Sequence, residues 1–555
     1  MNNVSTRLKP KLLSVMKTYN KDQFIKDIIA GLIVAIIALP LSIALAISSG
    51  VSPEQGLYTA IIAGFFISLL GGSRVQIGGP SATFMVVVYG VVATHGTEGL
   101  LITTILAGII LILFGLFKLG SMIKYIPYPI TVGFTSGIAV TIFSSQIKDF
   151  FGMEIGAVPT EFIDKWVFYF ESMDKAQLLP FLIGALALII LIVWPKVNKK
   201  IPGSLIAILV TTLLVWLLKV DVQTIGSQYS DLSSSFPTPS IPTFTWKKVQ
   251  VLLSPAFTIA FLCSIESLLS AVVSDGMIGS KHRSNMELVA EGVANIASGL
   301  FGGMPATGAI ARTVANIKNG GRTPIAGIVH ALTLLFILLF LMPLVKLIPL
   351  ATLAAILIMV SYNMSEWRMF KKLLSAPKSD VIVLLATFFL TVLFDLTLAI
   401  SVGMVLSSFL FMKRMTDVTD VYGLDKEMND DSDELELLDD QIKEVFSEEI
   451  LIYEINGPFF FGAAEKFLDS IQSLQGPSKV LIIRLRNVPV IDATAVHTLD
   501  LLYDNCVKSN TVLILSEISD KPYQVIKRVG LVNQIGEDQV CRHLDEAIAK
   551  AKTFI

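Results

Sequence analysis

Apolar runs close to 20 residues long recur along residues 1–412 of this 555-residue chain. A run of that length crosses the hydrocarbon of a bilayer as one helix, and only helices or closed barrels can do so with every backbone group bonded. With 53% hydrophobic and 16% charged residues, the pattern points to an α-helical polytopic membrane protein and excludes a soluble one. Fourteen transmembrane helices are predicted, at 27–47, 56–71, 80–94, 99–118, 127–147, 177–195, 203–218, 254–273, 284–300, 306–318, 322–343, 348–361, 380–395 and 397–412. With the N-terminus placed in the cytoplasm, roughly 22 Lys/Arg fall on the inner side and about 7 on the outer, which favours that orientation. The even count returns the C-terminus to the cytoplasm, as expected for a multi-pass protein of a bacterial inner membrane. The apolar run after the polar, basic residues 1–26 is too long for the core of a cleavable signal peptide.

One stretch does not behave as a spanning helix should. Residues 301–312, Phe-Gly-Gly-Met-Pro-Ala-Thr-Gly-Ala-Ile-Ala-Arg, hold three glycines, a proline and a terminal arginine deep in apolar sequence. Gly302, Gly303 and Pro305 oppose a continuous helix, while Pro305 suits the first turn of a new one. A half-helix is therefore expected to start inside the bilayer, with the N–H groups of Ala306, Gly308 and Ala309 free to face an anion. The six residues 302–307, Gly-Gly-Met-Pro-Ala-Thr, match 78–83, Gly-Gly-Pro-Ser-Ala-Thr. These copies lie seven predicted helices apart, so the second is inverted relative to the first. Interrupted segments at matching places in two inverted halves are the best sequence pointer to a transporter binding site at the midplane.

The composition changes after Arg414. Residues 415–555 carry 26 of the 45 acidic residues but 13 of the 43 basic ones. The domains are read as a cytoplasmic N-terminal segment at 1–26 and a transport domain at 27–412, with repeats at about 27–218 and 254–412. An acidic linker follows at 413–449, then a small α/β domain at 450–555. In that last domain strands are predicted at 451–455, 480–485 and 512–515, alternating with helices at 463–474, 493–507, 521–529 and 539–552. Cys263, Cys506 and Cys541 have no disulfide or metal-like spacing. No nucleotide loop or catalytic triad stands out, so neither an enzyme, a metal site nor a nucleic-acid partner is expected.

These features together resemble the SulP anion-transporter family of sulfate permeases and bicarbonate transporters. The residues that carry the resemblance are Gly56-Leu-Tyr58, the run Gly71-Gly-Ser-Arg-Val-Gln-Ile-Gly-Gly-Pro80, Ser264-Ile-Glu-Ser-Leu-Leu269 and Arg312-Thr-Val-Ala-Asn316. In the tail, Ile491-Asp-Ala-Thr494 makes the last domain look like a STAS domain. Within the family, Asp275-Gly-Met277, Lys281-His282, Glu287-Leu-Val289 and Met364-Ser-Glu366 look closest to the enterobacterial C4-dicarboxylate transporter branch. The resemblance implies a seven-plus-seven inverted repeat and a mobile core of helices 1–4 and 8–11. It also implies a gate of helices 5–7 and 12–14, homodimers and elevator-like movement.

Candidate site residues follow from the break and its repeat. Helices starting near Pro80 and Pro305 would bring two positive ends, each about half a charge, to one point. Ser81, Ala82, Thr83, Ala306, Thr307, Gly308 and Ala309 are the candidate substrate contacts; the alternative is that small residues here serve close helix packing. Arg312 either supplies a fixed positive charge to the cargo or pairs with Glu266 or Glu291. Pro40 and Ser42 in the first helix either line the site or bend the helix. A carboxylate near the bilayer centre costs several kcal/mol unless partnered or protonated, which makes Glu266 the candidate proton carrier. In sodium-coupled relatives the resemblance matches Glu266 and Ser270 to an Asp and a hydroxyl at i+4; here the acid is Glu, so H+ is favoured over Na+. Glu287, Glu291 and Asp395 are read as packing or interface acids. Thr494 is a candidate phosphorylation site, with Asp492 as a plain helix cap the alternative.

The expected function is secondary active anion transport, as proton-coupled uptake of a succinate-like C4-dicarboxylate. Sulfate or bicarbonate carriage is the alternative within the same fold; a channel, a nucleobase carrier or a membrane sensor are alternatives of other classes. No cofactor is expected beyond the coupling ion. The expected partners are a small anionic substrate, the lipid bilayer, a second copy of the chain and an unidentified cytoplasmic ligand of the STAS domain.

Overall fold

The computed structural model describes residues 8–121, 126–156, 158–159, 161–198, 201–229, 232–394, 396–423, 449–472 and 478–555. The chain divides into two compact units, Met1–Met404 and Val405–Ile555. The first is a set of long helices around one broken centre; the second is a sheet flanked by helices.

The first unit begins with α1 (Lys21–Ser48), started by Asn20, whose side chain accepts from Gln23 N. It starts six residues earlier than predicted because the polar turn before Asp27 is itself helical. A proline at its first position and a Ser52/Gln55 capping box start α2 (Pro53–Leu70). A short strand β1 (Gly78–Pro80) follows, then α3 (Met85–Leu116). Gly96 interrupts α3 at φ 67°, between the third and fourth predicted helices. Next come α4 (Tyr128–Ser145), α5 (Leu178–Val197) and α6 (Gly203–Leu218). The second half runs α7 (Trp246–Ile278), α8 (Ser284–Leu300), a second short strand β2 (Ala306–Gly308) and α9 (Ile310–Lys318). It ends with α10 (Ile325–Phe340), α11 (Leu350–Met364), α12 (Lys378–Leu393) and α13 (Leu396–Val418). Among the described residues seven helices are long and apolar enough to cross a membrane, and α6 and α10 are shorter apolar helices. Their apolar outer faces, with Leu178, Ile189, Leu213 and Trp216 more than half exposed, suit lipid. Asp395 lies outside the described residues.

Packing sorts the helices into two groups. α8 lies along α2 and α3, α7 along α3, and α10 against α1 and α2. Separately, α12 packs on α4, and α11 on α4 and α5. The breaks sit within the first group. There β1 and β2 pair antiparallel, with Gly78 opposite Gly308, Gly79 opposite Thr307 and Pro80 opposite Ala306. Two predictions are corrected here. Gly78–Pro80 and Ala306–Gly308 are strands rather than helix starts; on the first side a 3-10 turn, Ala82–Phe84, leads into the helix at Met85, and on the second the helix opens at Ile310. The dyad of this small ladder relates Gly78 to Ala306, four positions beyond the Gly302 that the six-residue match suggested.

In the second unit five strands order as β3 (Asp420–Gly423), β4 (Ile450–Asn456), β5 (Val480–Asn487), β6 (Val512–Ser516) and β7 (Val540–Cys541). β3 is antiparallel to β4 and the other pairs are parallel. Helices α14 (Phe461–Gln472), α15 (Ala493–Lys508), α16 (Asp520–Val529) and α17 (Leu544–Ala551) complete it. The sheet thus begins inside the stretch read as linker, of which residues 424–448 lie outside the described residues. The predicted helix at 539–552 opens instead with β7, and its helical part starts at Leu544.

Candidate functional site

A strand inside a helical bundle leaves backbone donors and acceptors that only other protein groups can satisfy. Here the neighbouring helices supply them. Asn295 on α8 brackets Ala306, accepting from its N–H at 2.9 Å and donating to its carbonyl at 2.8 Å. One turn earlier, Glu291 accepts from Gly308 N at 2.9 Å and from Cys263 Sγ at 3.3 Å. From the other half, Thr59 accepts from Met304 N and Gln55 donates to the Gly302 carbonyl. Asn316 on α9 returns the favour to the first break, donating to the Val75 carbonyl. Glu291 and Asn295 are fully buried; Glu291 is a fastener of the break, a role more specific than the packing acid expected.

This fastening overturns part of the expected site. The N–H groups of Ala306, Gly308 and Ala309 are not free, since they donate to Asn295, Glu291 and the Ile77 carbonyl. The Thr307 hydroxyl donates to the Cys263 carbonyl. Because α9 opens at Ile310, the N–H groups with no acceptor in their own helix are those of Ile310, Ala311 and Arg312. Ala311 is exposed while Arg312 and Thr313 are buried, so the start of α9 is open on one side. The sequence placed the helix end one turn too early.

Across the ladder, Ser81 caps the short turn Ala82–Phe84 by accepting from Thr83 N. Its hydroxyl lies 2.8 Å from both carboxylate oxygens of Glu266 and can give its proton to either. Ala82 and Thr83 are buried beside it. Ser270, expected to share a role with Glu266, instead donates to Thr313 at 3.3 Å. Glu287, another expected packing acid, accepts from Ser73 N at 2.7 Å and so fastens the loop before β1.

Arg312 is 1% exposed and among the largest fully buried side chains. Its Nη2 donates to Ser42 Oγ and to the Pro80 carbonyl, each at 3.2 Å. It makes no ion pair with Glu266 or Glu291, and its Nε and Nη1 have no hydrogen-bond partner among the described residues. Pro40 is buried half a turn before Ser42 in α1. Glycine is required where the guanidinium lies: a Cβ on Gly79 would stand 1.9 Å from Arg312 Nη1. A Cβ on Gly308 would stand 1.5 Å from Gln76 Nε2. The arrangement therefore brings Ser42, Ser81, Glu266, Arg312 and the open end of α9 to the two facing breaks. It combines hydroxyl donors, a fixed cation and one acid that a hydroxyl already contacts.

In the second unit, Asp492 caps α15 by accepting from Ala495 N at 2.8 Å and also accepts from Phe461 N. Thr494 is exposed in the first turn.

Comparisons agree with this architecture. The model of the sulfate permease family matches residues 24–387, and that of the STAS domain residues 441–547. YvdB of Bacillus subtilis, named as a candidate sulfate transporter, is 39% identical over 96% of this chain and 98% of its own length. The bicarbonate transporter BicA of a Picosynechococcus strain is 29% identical over 95% of this chain and 94% of its own. The solved transmembrane domain of a cyanobacterial BicA superposes with a TM-score of 0.63 at 31% identity, over 71% of this chain and all of that one. The inward-facing murine anion transporter Slc26a9 gives 0.85 at 18% identity, over 98% and 94% of the two chains, a likeness of fold.

Proposed function

The chain belongs to the sulfate permease family, as an anion transporter with a STAS domain, and we propose that it carries a small oxyanion such as sulfate, coupled to protons. The observation that carries this reading is the Arg312 side chain. A buried guanidinium with two N–H groups unmatched by protein is costly, and its planar fork suits two oxygens of one anion. The open end of α9 adds partial positive charge beside it. Glu266, in contact with Ser81, supplies a proton-accepting group within the same site, and Ser270 turning to Thr313 instead of Glu266 supports coupling to H+ over Na+.

The cargo reading moves from dicarboxylate to inorganic oxyanion for a physical reason. Asp275 accepts from both the backbone N–H and ring Nδ1 of His282, and Glu287 accepts from Ser73 N. Asp275 and His282 thus join at the turn between α7 and α8, and Glu287 fastens the loop before β1, so these residues have structural partners that give no sign of the cargo. Moreover, the relatives described above carry sulfate or bicarbonate in their names. The two packing groups, α1–α3 with α7–α10 and α4–α6 with α11–α12, support elevator-like movement of the first against the second. We extend the reading to a multi-pass protein of the inner membrane with both termini cytoplasmic, working as a homodimer, with fourteen spans in two inverted repeats. The STAS domain would bind a cytoplasmic ligand, and Thr494 stays its candidate phosphorylation site.

The test is uptake of labelled sulfate, succinate and bicarbonate into proteoliposomes under imposed pH or sodium gradients. Sulfate uptake accelerated by an inward proton gradient is expected. Uptake of succinate alone, or acceleration by sodium alone, would contradict the reading.

A further inference from the structure

A cavity of about 1050 Å³ is lined by residues other than those of the two breaks. Its deep end is formed by Met85, Val86 and Val87, the first turn of α3, immediately beyond Ser81–Thr83. Lys148, Asp149, Glu161, Lys165 and Tyr169 line it from the stretch read as an outer loop, together with Gln228 and Tyr229. The cavity thus extends from the outer loops to within one turn of the candidate site.

Four charged groups line it: Lys148, Asp149, Glu161 and Lys165. They are not equivalent. Glu161 is exposed at the mouth. Asp149 is pushed up to about 6 by burial, against the opposing charge of the adjacent Lys148. Lys165 is only 7% exposed, and among the described residues its ammonium has no ion-pair or hydrogen-bond partner. Burial alone holds its pKa below the ordinary lysine value. A cation removed from water without a partner gains most from an arriving anion, which restores the interaction that burial took away. The same cavity is lined by Tyr169, almost fully buried, and Tyr229, half-buried.

We propose that this cavity is an anion-collecting site, in which the ammonium of Lys165 holds a small oxyanion before it passes to the breaks. Glu161 stands in solvent and Asp149 beside Lys148, so the buried Lys165 ammonium is the charge with most to gain from a counter-ion, and a charge in a low-dielectric cleft raises the local concentration of its counter-ions. The place on a transport path rests on the proposed function; the binding itself does not, so the two are tested separately.

Two readouts do this. Trp166 neighbours Lys165 and lies against Tyr169, with ring centroids 6.2 Å apart. In a full-length chain with the other four tryptophans, Trp194, Trp216, Trp246 and Trp367, replaced by Phe, iodide quenching of Trp166 reports anions in the cavity. Lys165→Met is expected to lower the iodide quenching constant about threefold, leave quenching by neutral acrylamide unchanged, and be rescued by Lys165→Arg. In right-side-out vesicles the same variant is expected to raise KM for labelled sulfate about tenfold with Vmax within about twofold. Unchanged iodide quenching overturns the site. Reduced quenching with unchanged KM overturns its place on the path. If the unmodified protein moves no sulfate, the cargo reading fails while the quenching result still decides the site.

Discussion

At the first break the chain leaves β1 through Ser81, whose hydroxyl meets a carboxylate from the other half, Glu266. At the second it leaves β2 through Ala309, with no capping side chain, and the first charged group beyond is Arg312. The two strands pair as near equals, yet the chain beyond one presents a hydroxyl that meets an acid, and the chain beyond the other a cation that reaches back to Ser42 and the Pro80 carbonyl. Their fastening differs as well. The second strand is held by Glu291 and Asn295 from the preceding helix, while the first is held by Asn316 and Thr313 from across the ladder. An inverted repeat supplies the matched backbone cheaply, but an anion site needs net positive charge on only one side. The symmetry belongs to the scaffold and the asymmetry to the chemistry.

The comparison breaks most readily at the cation. Arg312→Gln is expected to raise the KM for sulfate roughly 30-fold, about 2 kcal/mol, because hydrogen bonds to a charged group are lost. Arg312→Lys keeps the charge without the fork and should lie between; equal KM for all three proteins would remove Arg312 from the site. The next largest contrast lies in the two glycines. Gly79→Ala pushes on the guanidinium and Gly308→Ala on Gln76. Overpacking of this kind costs about 1–3 kcal/mol, so Gly79→Ala should appear as weakened sulfate binding and Gly308→Ala as a lowered Tm. The reverse pattern would mean that the roles of the two breaks are misassigned.

Smaller effects test the fastening. Glu291→Gln keeps one acceptor for Gly308 N but alters a buried cluster with Cys263 and Gln76. A loss of about 1–2 kcal/mol of stability is expected, read as a lower Tm in detergent, with KM for sulfate nearly unchanged. A large KM effect without a Tm effect would place Glu291 in the cargo site instead. Ser81→Ala should have the least effect, a change of about fivefold in uptake, about 1 kcal/mol, since one neutral donor is lost.

The break itself was legible because Gly302, Gly303 and Pro305 violate a local rule that spanning helices obey. Its register was not. Strand pairing between Gly79 and Thr307 joins residues far apart in sequence, and neither glycine nor proline signals a strand, so the helix start was read four residues early. That error misplaced the free N–H groups, whereas Arg312, Ser42, Ser81 and Glu266, named from residue type, the repeat and the family resemblance, do come together in the fold. Glu287, Glu291 and Asn295 stand one turn apart on one face of α8, a polar i, i+4 series that could have announced partners to be satisfied. In the second unit the strands Ile450–Asn456, Val480–Asn487 and Val512–Ser516 showed as apolar runs. β3, Asp-Val-Tyr-Gly, was hidden by the acidic sequence around it.

The central claim is that cargo charge is met by Arg312 on one side while the coupling proton is carried by Glu266 on the other. The most direct measurement compares sulfate uptake by Glu266→Gln proteoliposomes with and without an inward proton gradient, alongside sulfate exchange at equal pH. The account predicts that the gradient no longer accelerates uptake while exchange persists. Undiminished acceleration by the gradient in that variant would contradict it.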